Sequence, residues 1–415
     1  MKEIDQLIDK ARDKFDLTDP DYQQSLYSLS NELLSISEVD KAKLMSMAGD
    51  SSVPLEFRMA IHLMRSKHYL NSIKSNLKIG VVFAMWGEQH RLYPSSDNNP
   101  NGEDTLRTKI DQLNWAVENS KVDWHLYAVD DGCPYESGKI AEEIRSTHPD
   151  KEKVSILYLA NAIPTQEGPL QKLRSVDDSK KGGAIIAGCM RAIEDGMDAI
   201  IYTDADNSVH LGQIGILLKP YLEHELNVVL GNRKDPSAVL VKQENRWGIG
   251  IKLLRHMQRM VGVSIFSRGI LDSQAAFKLY DSKLLKEIIA DPAVFDFSFD
   301  SDWIAASIER NESFAKVPFS FVDSFAESAS IVQGPMSTWE TLLLGLVKSV
   351  RHRGLDHNKE MAQVLKEEIQ SPADLDLLIN SLPPQLESVE DKDLGNPDVM
   401  SPKEVREWII ERRSE

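Results

Sequence analysis

Only two cysteines, Cys133 and Cys189, occur among 415 residues, too few for a disulfide framework or a cysteine-built zinc site. Basic charge is also scarce: 48 lysines and arginines stand against 65 aspartates and glutamates, a net charge of −17. That balance argues against nucleic acid or an anionic membrane surface as the main partner, because both are gripped by basic patches. No apolar run approaches the ~20 residues of a membrane span; Thr341–Val347 is far too short. The opening Met1-Lys2-Glu3-Ile4-Asp5 lacks the apolar core of a signal peptide. No Gly-x-Gly-x-x-Gly joins the first strand to its helix, which removes a dinucleotide-dependent oxidoreductase. Nor does Met85–His90 supply the basic, glycine-rich phosphate loop of a sugar-1-phosphate nucleotidyltransferase. The remaining composition, 41% hydrophobic and 27% charged, is that of a soluble globular protein, and a cytoplasmic location is expected.

What the chain does contain is a change of period. Residues 1–75 carry helical spacing (Ile4, Leu7, Ile8, Ala11, Phe15, then Leu55 to Leu70) and read as a packing or oligomerisation extension. From Lys78, short apolar runs replace it. Ile79–Met85 has the look of a buried parallel strand. Further strands are expected near 124–129, 154–159, 199–203 and 227–230, alternating with helices near 137–147, 181–196 and 211–223. That rhythm predicts an α/β fold, a mostly parallel sheet with helices on both faces. A polar, turn-rich insertion, Tyr93–Asp104, interrupts it early. Strand signals stop after about residue 333, and Ser401-Pro402-Lys403-Glu404 marks the start of a last helix. The expected division is a helical extension at 1–75, an α/β domain at 76–333 and a helical extension at 334–415.

Two strands end in acids. Ala199–Thr203 runs into Asp204-Ala205-Asp206, and Trp124–Val129 runs into Asp130-Asp131-Gly132. Asp-x-Asp recurs at Asp19/Asp21, Asp300/Asp302, Asp374/Asp376 and Asp391/Asp393, so spacing alone singles out nothing. At a frayed strand end, however, the chain bends and two aspartates can converge. Converging carboxylates call for a hard divalent cation, Mg²⁺ or Mn²⁺, and such a cation with open positions holds a diphosphate. In open α/β sheets ligands bind beyond the carboxyl ends of the strands, which is where both acidic ends fall. The predicted metal ligands are Asp204 and Asp206.

With these ends placed, residues 78–325 resemble the family 2 glycosyltransferases of GT-A fold, and within them the dolichyl-phosphate glucose and mannose synthase branch. Val129-Asp130-Asp131-Gly132 is similar to the family's Val-Asp-Asp-Gly, Lys181-Gly182-Gly183-Ala184 to its Gly-Lys-Gly-Ala, and Asp204-Ala205-Asp206 to its metal motif. Gly269-Ile270-Leu271-Asp272-Ser273-Gln274-Ala275-Ala276-Phe277-Lys278-Leu279-Tyr280 resembles Gly-Ile-x-Asp-Thr-Gln-Cys-Gly-Phe-Lys-Leu-Phe. Gly231-Asn232-Arg233 and Phe299-Asp300-Ser301-Asp302 are fainter echoes of Gly-Ser-Arg and Phe-Asp-x-Glu. The departures are an Ala84-Met85-Trp86-Gly87-Glu88 opening in place of Pro-x-Tyr-Asn-Glu, and Phe325–Ser330 in place of a basic Gly-x-Ser-Lys segment.

The resemblance implies a nucleotide-diphosphate sugar donor, contacted by Asp130, Asp131 and Gly132 at the base and ribose and flanked by Lys181 and Gly183. Arg233 and Lys278 are candidates for the diphosphate or an acceptor anion. Asp302 stands where the family has a helix-borne acid and is the first candidate for a general base, with Asp300 and Asp272 as rivals. Two residues apart on a helix, Asp300 and Asp302 cannot face the same way. The expected function is metal-dependent transfer of a sugar to a hydroxyl of a soluble metabolite, glycan or peptide. A polyprenyl-phosphate acceptor and a non-catalytic nucleotide-sugar binder are the alternatives. Inversion and retention stay open, because retaining GT-A enzymes acting on small acceptors such as glycerate also carry paired aspartates.

Overall fold

The structure, a computed structural model, describes residues 2–36, 41–242, 248–324 and 334–414. Segment 325–330 and Trp247 therefore lie outside the described residues. Among the described residues nine strands form two sheets: β1 (Leu77–Met85), β2 (Val122–Asp130), β3 (Val154–Tyr158), β4 (Ala199–Thr203), β5 (Val228–Gly231), β6 (Val239–Val241), β7 (Phe277–Asp281), β8 (Phe314–Val317) and β9 (Ser320–Val322). The main sheet runs β3-β2-β1-β4-β7-β5-β8. All its pairings are parallel except those of β7, which is antiparallel to β4 and β5. The short β6 and β9 make a separate parallel pair.

The expected rhythm holds because the central strands bury both faces. Along β1, Val82 points into one core with Tyr127, Ile200 and helix Gly182–Glu194, while Val81 and Phe83 point into another with helices Thr105–Val117 and Ile214–Glu223. A strand buried on both sides reads as an unbroken apolar run, and every residue of β4 is buried.

The N-terminal region is helical, as its period predicts. Leu26, Phe57 and Ile61 form a third core that also takes in Val239 of β6 and Val322 of β9, so this region packs directly on the small sheet. At the other end, helix Pro335–His352 lies against helix Phe299–Glu309. The crossing is close: a Cβ on Gly345 would fall 1.8 Å from Oγ of Ser298. The last helix, Pro402–Ser414, opens on a reciprocal cap, with Ser401 N–H donating to Glu404 (2.7 Å) and Glu404 N–H to Ser401 Oγ (3.3 Å). Among the described residues no helix is long and apolar enough to cross a membrane.

Candidate active site

The two acidic strand ends meet through one lysine. Lys181 precedes helix Gly182–Glu194 with φ +80°, a left-handed conformation that is costly for a side chain with a Cβ. That geometry points its backbone N–H at Asp131 Oδ2 (2.6 Å), whose other oxygen accepts from Ser179 Oγ (2.7 Å). The same lysine's ammonium donates to Oδ1 of Asp204. Burial pushes the Asp131 carboxyl up to about 6, against its hydrogen bonds. For Asp204, burial also opposes ionisation, but Lys181, then Arg233 and Lys109, outweigh it and hold the carboxyl below its usual range. Asp206 accepts from Ser208 N–H on Oδ1 (3.0 Å). Among the described residues, Oδ2 of both Asp204 and Asp206 has no hydrogen-bond partner.

The donor set fits a divalent cation in a limited way. Two carboxylates offer hard oxygen ligands, and an ammonium already sits on one of them as a positive charge would. No group of three or more histidine, cysteine or acidic side chains is arranged for a metal among the described residues. The chain would thus supply two ligands and leave the remaining positions to substrate and water.

Several other expected contacts have structural roles. Asp130 accepts from three backbone N–H groups, Gly132 (2.9 Å), Cys133 (2.9 Å) and Gly138 (2.8 Å), so its carboxylate shapes the loop after β2. Gly132 sits at φ +73°, and a Cβ there would meet Val176 at 2.5 Å; it is a turn residue. Gly183 donates to Phe295 O (3.2 Å) and packs so tightly on Ser179 that a Cβ would come within 2.6 Å of its hydroxyl. Lys278 is fully buried, held by Tyr202 Oη (2.9 Å), Ala275 O and Asp300 Oδ1 (2.7 Å). It does not reach a ligand, contrary to the expectation. Arg233 grips Asp272 with two nitrogens (3.0 and 2.7 Å) and its backbone N–H (2.7 Å).

The base assignment needs correction. Asp302 is buried away from the crevice, where Ala293 N–H (2.9 Å) and Arg353 (3.2 and 3.3 Å) occupy both oxygens. Arg353 follows helix Pro335–His352, so Asp302 fastens the C-terminal region to the domain. Asp272 is locked by Arg233. Asp300, one of the rivals, pairs with buried Lys278 and lies in the field of Lys181. Burial pushes its carboxyl well above the ordinary range.

A buried network under Asp206 escaped the sequence reading. Lys109, with no exposed surface, donates to the backbone oxygen of Asp206. Glu103 accepts from Asn207 N–H (3.0 Å) and from the Ser324 hydroxyl, and Arg91 pairs with Glu88 at 2.8 Å. Burial pushes Glu88 and Glu103 up and Lys109 down. The signal was the charge spacing Glu88/Arg91 just ahead of the polar insertion that carries Glu103, a stretch that reads as solvated loop. His210, four residues past Asp206, is also buried and accepts from Gly212 N–H at Nδ1 (2.9 Å).

Residues 100–289 match the family model Glycosyl transferase family 2. The match spans a little under half of the chain and makes this stretch similar to the family 2 glycosyltransferases. Among solved structures the chain is similar to glucosyl-3-phosphoglycerate synthase from Mycobacterium tuberculosis. The complex of that protein with Mn²⁺, UDP-glucose and phosphoglyceric acid aligns at 15% identity and a TM-score of 0.47, covering 70% of this chain and 84% of that one. Its complex with Mg²⁺ and UDP gives 14%, 0.45, 70% and 84%.

Proposed function

We propose that the enzyme moves a sugar from a nucleotide-diphosphate sugar to an acceptor hydroxyl with the help of a divalent cation, Mn²⁺ or Mg²⁺, held by Asp204 and Asp206. The observation that carries this reading is the junction at Lys181, which ties the acidic end of β2 to the acidic end of β4 across one crevice. A bound cation would supply charge to neutralise the departing diphosphate. Lys181 holds Asp204 ionised and, with its ammonium beside the metal pair, is placed to meet the same phosphate oxygens. Lys109, Glu103 and Asn207 fix the backbone of Asp206. Asp131 orients the Lys181 loop and lies at the donor-nucleotide end of the crevice. Asp300 is the carboxylate left to receive the acceptor's proton.

The test is a thermal-shift panel of nucleoside diphosphates and nucleotide sugars on the full chain, each with and without Mn²⁺. A ligand at 100 times its dissociation constant stabilises by ~2.7 kcal/mol, so one nucleotide should give a manganese-dependent rise in Tm. No rise with any member would sink the reading and favour a protein that does not use a nucleotide sugar.

A further inference from the structure

In a chain of net charge −17, a pocket lined by cations needs a reason. Such a pocket, about 320 Å³, opens on the far side of β4 from the Asp130/Asp131 loop. Arg233 and Lys234 enter it from the turn after β5, Lys242 from the end of β6, and Arg255 and Arg259 from helix Ile251–Val261. Two carboxylates form ion pairs with four of these five cations, and Asp323 adds its field at Arg233 and Lys242. Asp272 is taken by Arg233. Asp391, from the C-terminal region, is shared by Arg259 (2.6 Å), Lys234 (3.4 Å) and Arg255 (3.7 Å). Lys242 has no ion-pair partner among the described residues. Like charges gathered around one shared carboxylate repel each other and do not stabilise a fold; they are the arrangement that grips an anion.

The pocket adjoins the acidic end of β4: its wall Leu271–Gln274 leads into β7, whose Phe277 pairs with Thr203. Buried Lys278 lies in the field of Asp272 and Arg233 on one side and of Lys181 and Asp204 on the other. The donor's diphosphate belongs to the Lys181/Asp204 side, so this pocket lies on the acceptor's side of the metal pair.

We propose that the pocket seats a phosphate or carboxylate of the acceptor, gripped by Lys242 and by Arg255, the most distant of the three cations on Asp391, with Asp391 as a resident counter-charge competing with that anion. The proposal rests on the transferase reading for its word acceptor, but the anion site can be tested apart from it. Full-length enzyme, saturated with a nucleoside diphosphate and Mn²⁺ so that the donor site is filled, is titrated calorimetrically with inorganic phosphate. Phosphate should still bind. Lys242→Gln and Arg255→Gln should each weaken it about tenfold, as expected when one charge-assisted contact is lost, and Asp391→Asn should strengthen it several-fold. All three variants should keep the wild-type affinity for the nucleoside diphosphate.

Phosphate binding that is unaltered in the Lys242 and Arg255 variants, or that vanishes once the nucleoside diphosphate is bound, would overturn the proposal. If no nucleoside diphosphate binds, the transferase reading fails, and titration of the ligand-free enzyme still decides the pocket. Vesicles carrying phosphatidic acid separate the two sources of phosphate. Sedimentation of wild type but not of Lys242→Gln with them assigns the anion to a lipid headgroup; wild type left in solution, with phosphate binding intact, assigns it to a soluble acceptor.

Discussion

Two pairs of aspartates with the same spacing meet opposite fates in this molecule. Asp204 and Asp206 follow β4, where the chain leaves the sheet and bends, and each presents a carboxylate oxygen that no other group among the described residues occupies. Asp300 and Asp302 lie in the first turn of helix Phe299–Glu309, where a separation of two residues turns side chains to different sides. One of them joins Lys278 beside the crevice, and the other joins Arg353 on the far side. A motif therefore has chemical meaning only through the backbone that carries it. Asp-x-Asp at a strand end is a pair, whereas on a helix it is two unrelated residues.

The contrast can be broken by substitution, and the largest effect belongs to the strand-end pair. Asp204→Asn should lower turnover by roughly three powers of ten or more while leaving Tm nearly unchanged, since the aspartate itself bears a burial cost. Steady-state kinetics beside a melting curve read both, and normal turnover would end the metal assignment. Asp300→Asn keeps an acceptor for Lys278 but removes the proposed base. Turnover should fall by roughly 10²–10⁴-fold with donor affinity retained; full activity would leave no carboxylate from this helix for the role.

The other member of the helix pair should act on stability. Arg353→Ala strands Asp302 as a buried, unpaired charge and should cost about 3–5 kcal/mol in denaturant unfolding. A loss under ~1 kcal/mol would show that water reaches Asp302.

Asp131 gives a pH signature on the order of 3 kcal/mol, from its rise from 3.8 to about 6 on folding. A carboxyl raised by folding contributes stability below its unfolded pKa and loses it as pH climbs through the folded one. Wild type should therefore lose Tm relative to Asp131→Asn between pH ~4 and ~6; parallel curves would refute the shift. The smallest effect is Ser401→Ala, which removes the last helix's cap and should cost about 1 kcal/mol, leaving turnover unchanged.

Much of this was legible in the sequence for a physical reason. Strands buried on both faces, such as Ile79–Met85 and Ala199–Thr203, appear as apolar runs, and the Ser401/Glu404 cap is written in four consecutive residues. The antiparallel direction of β7 and the three-residue β6 and β9 were not legible, because direction and short pairings depend on distant partners. The site split along the same line. Asp204 and Asp206 were singled out from local context, whereas the partners that decide Asp302 and Lys278, namely Arg353 and Asp300, are set by packing. The network of Glu88, Arg91, Glu103 and Lys109 remained hidden because polar residues become buried only when each finds another.

The order of the main sheet sets a limit on how this enzyme can be dissected. The stretch that carries the family signature, residues 100–289, begins after β1, yet β1 is the strand on which both β2 and β4 are zipped. A fragment cut to that signature would keep the loops that do chemistry and lose the lane between them. Two apolar strands would then each expose a bare row of amides and carbonyls, the template on which chains stack into aggregates. The recognisable part of the protein is therefore not a part that can stand alone.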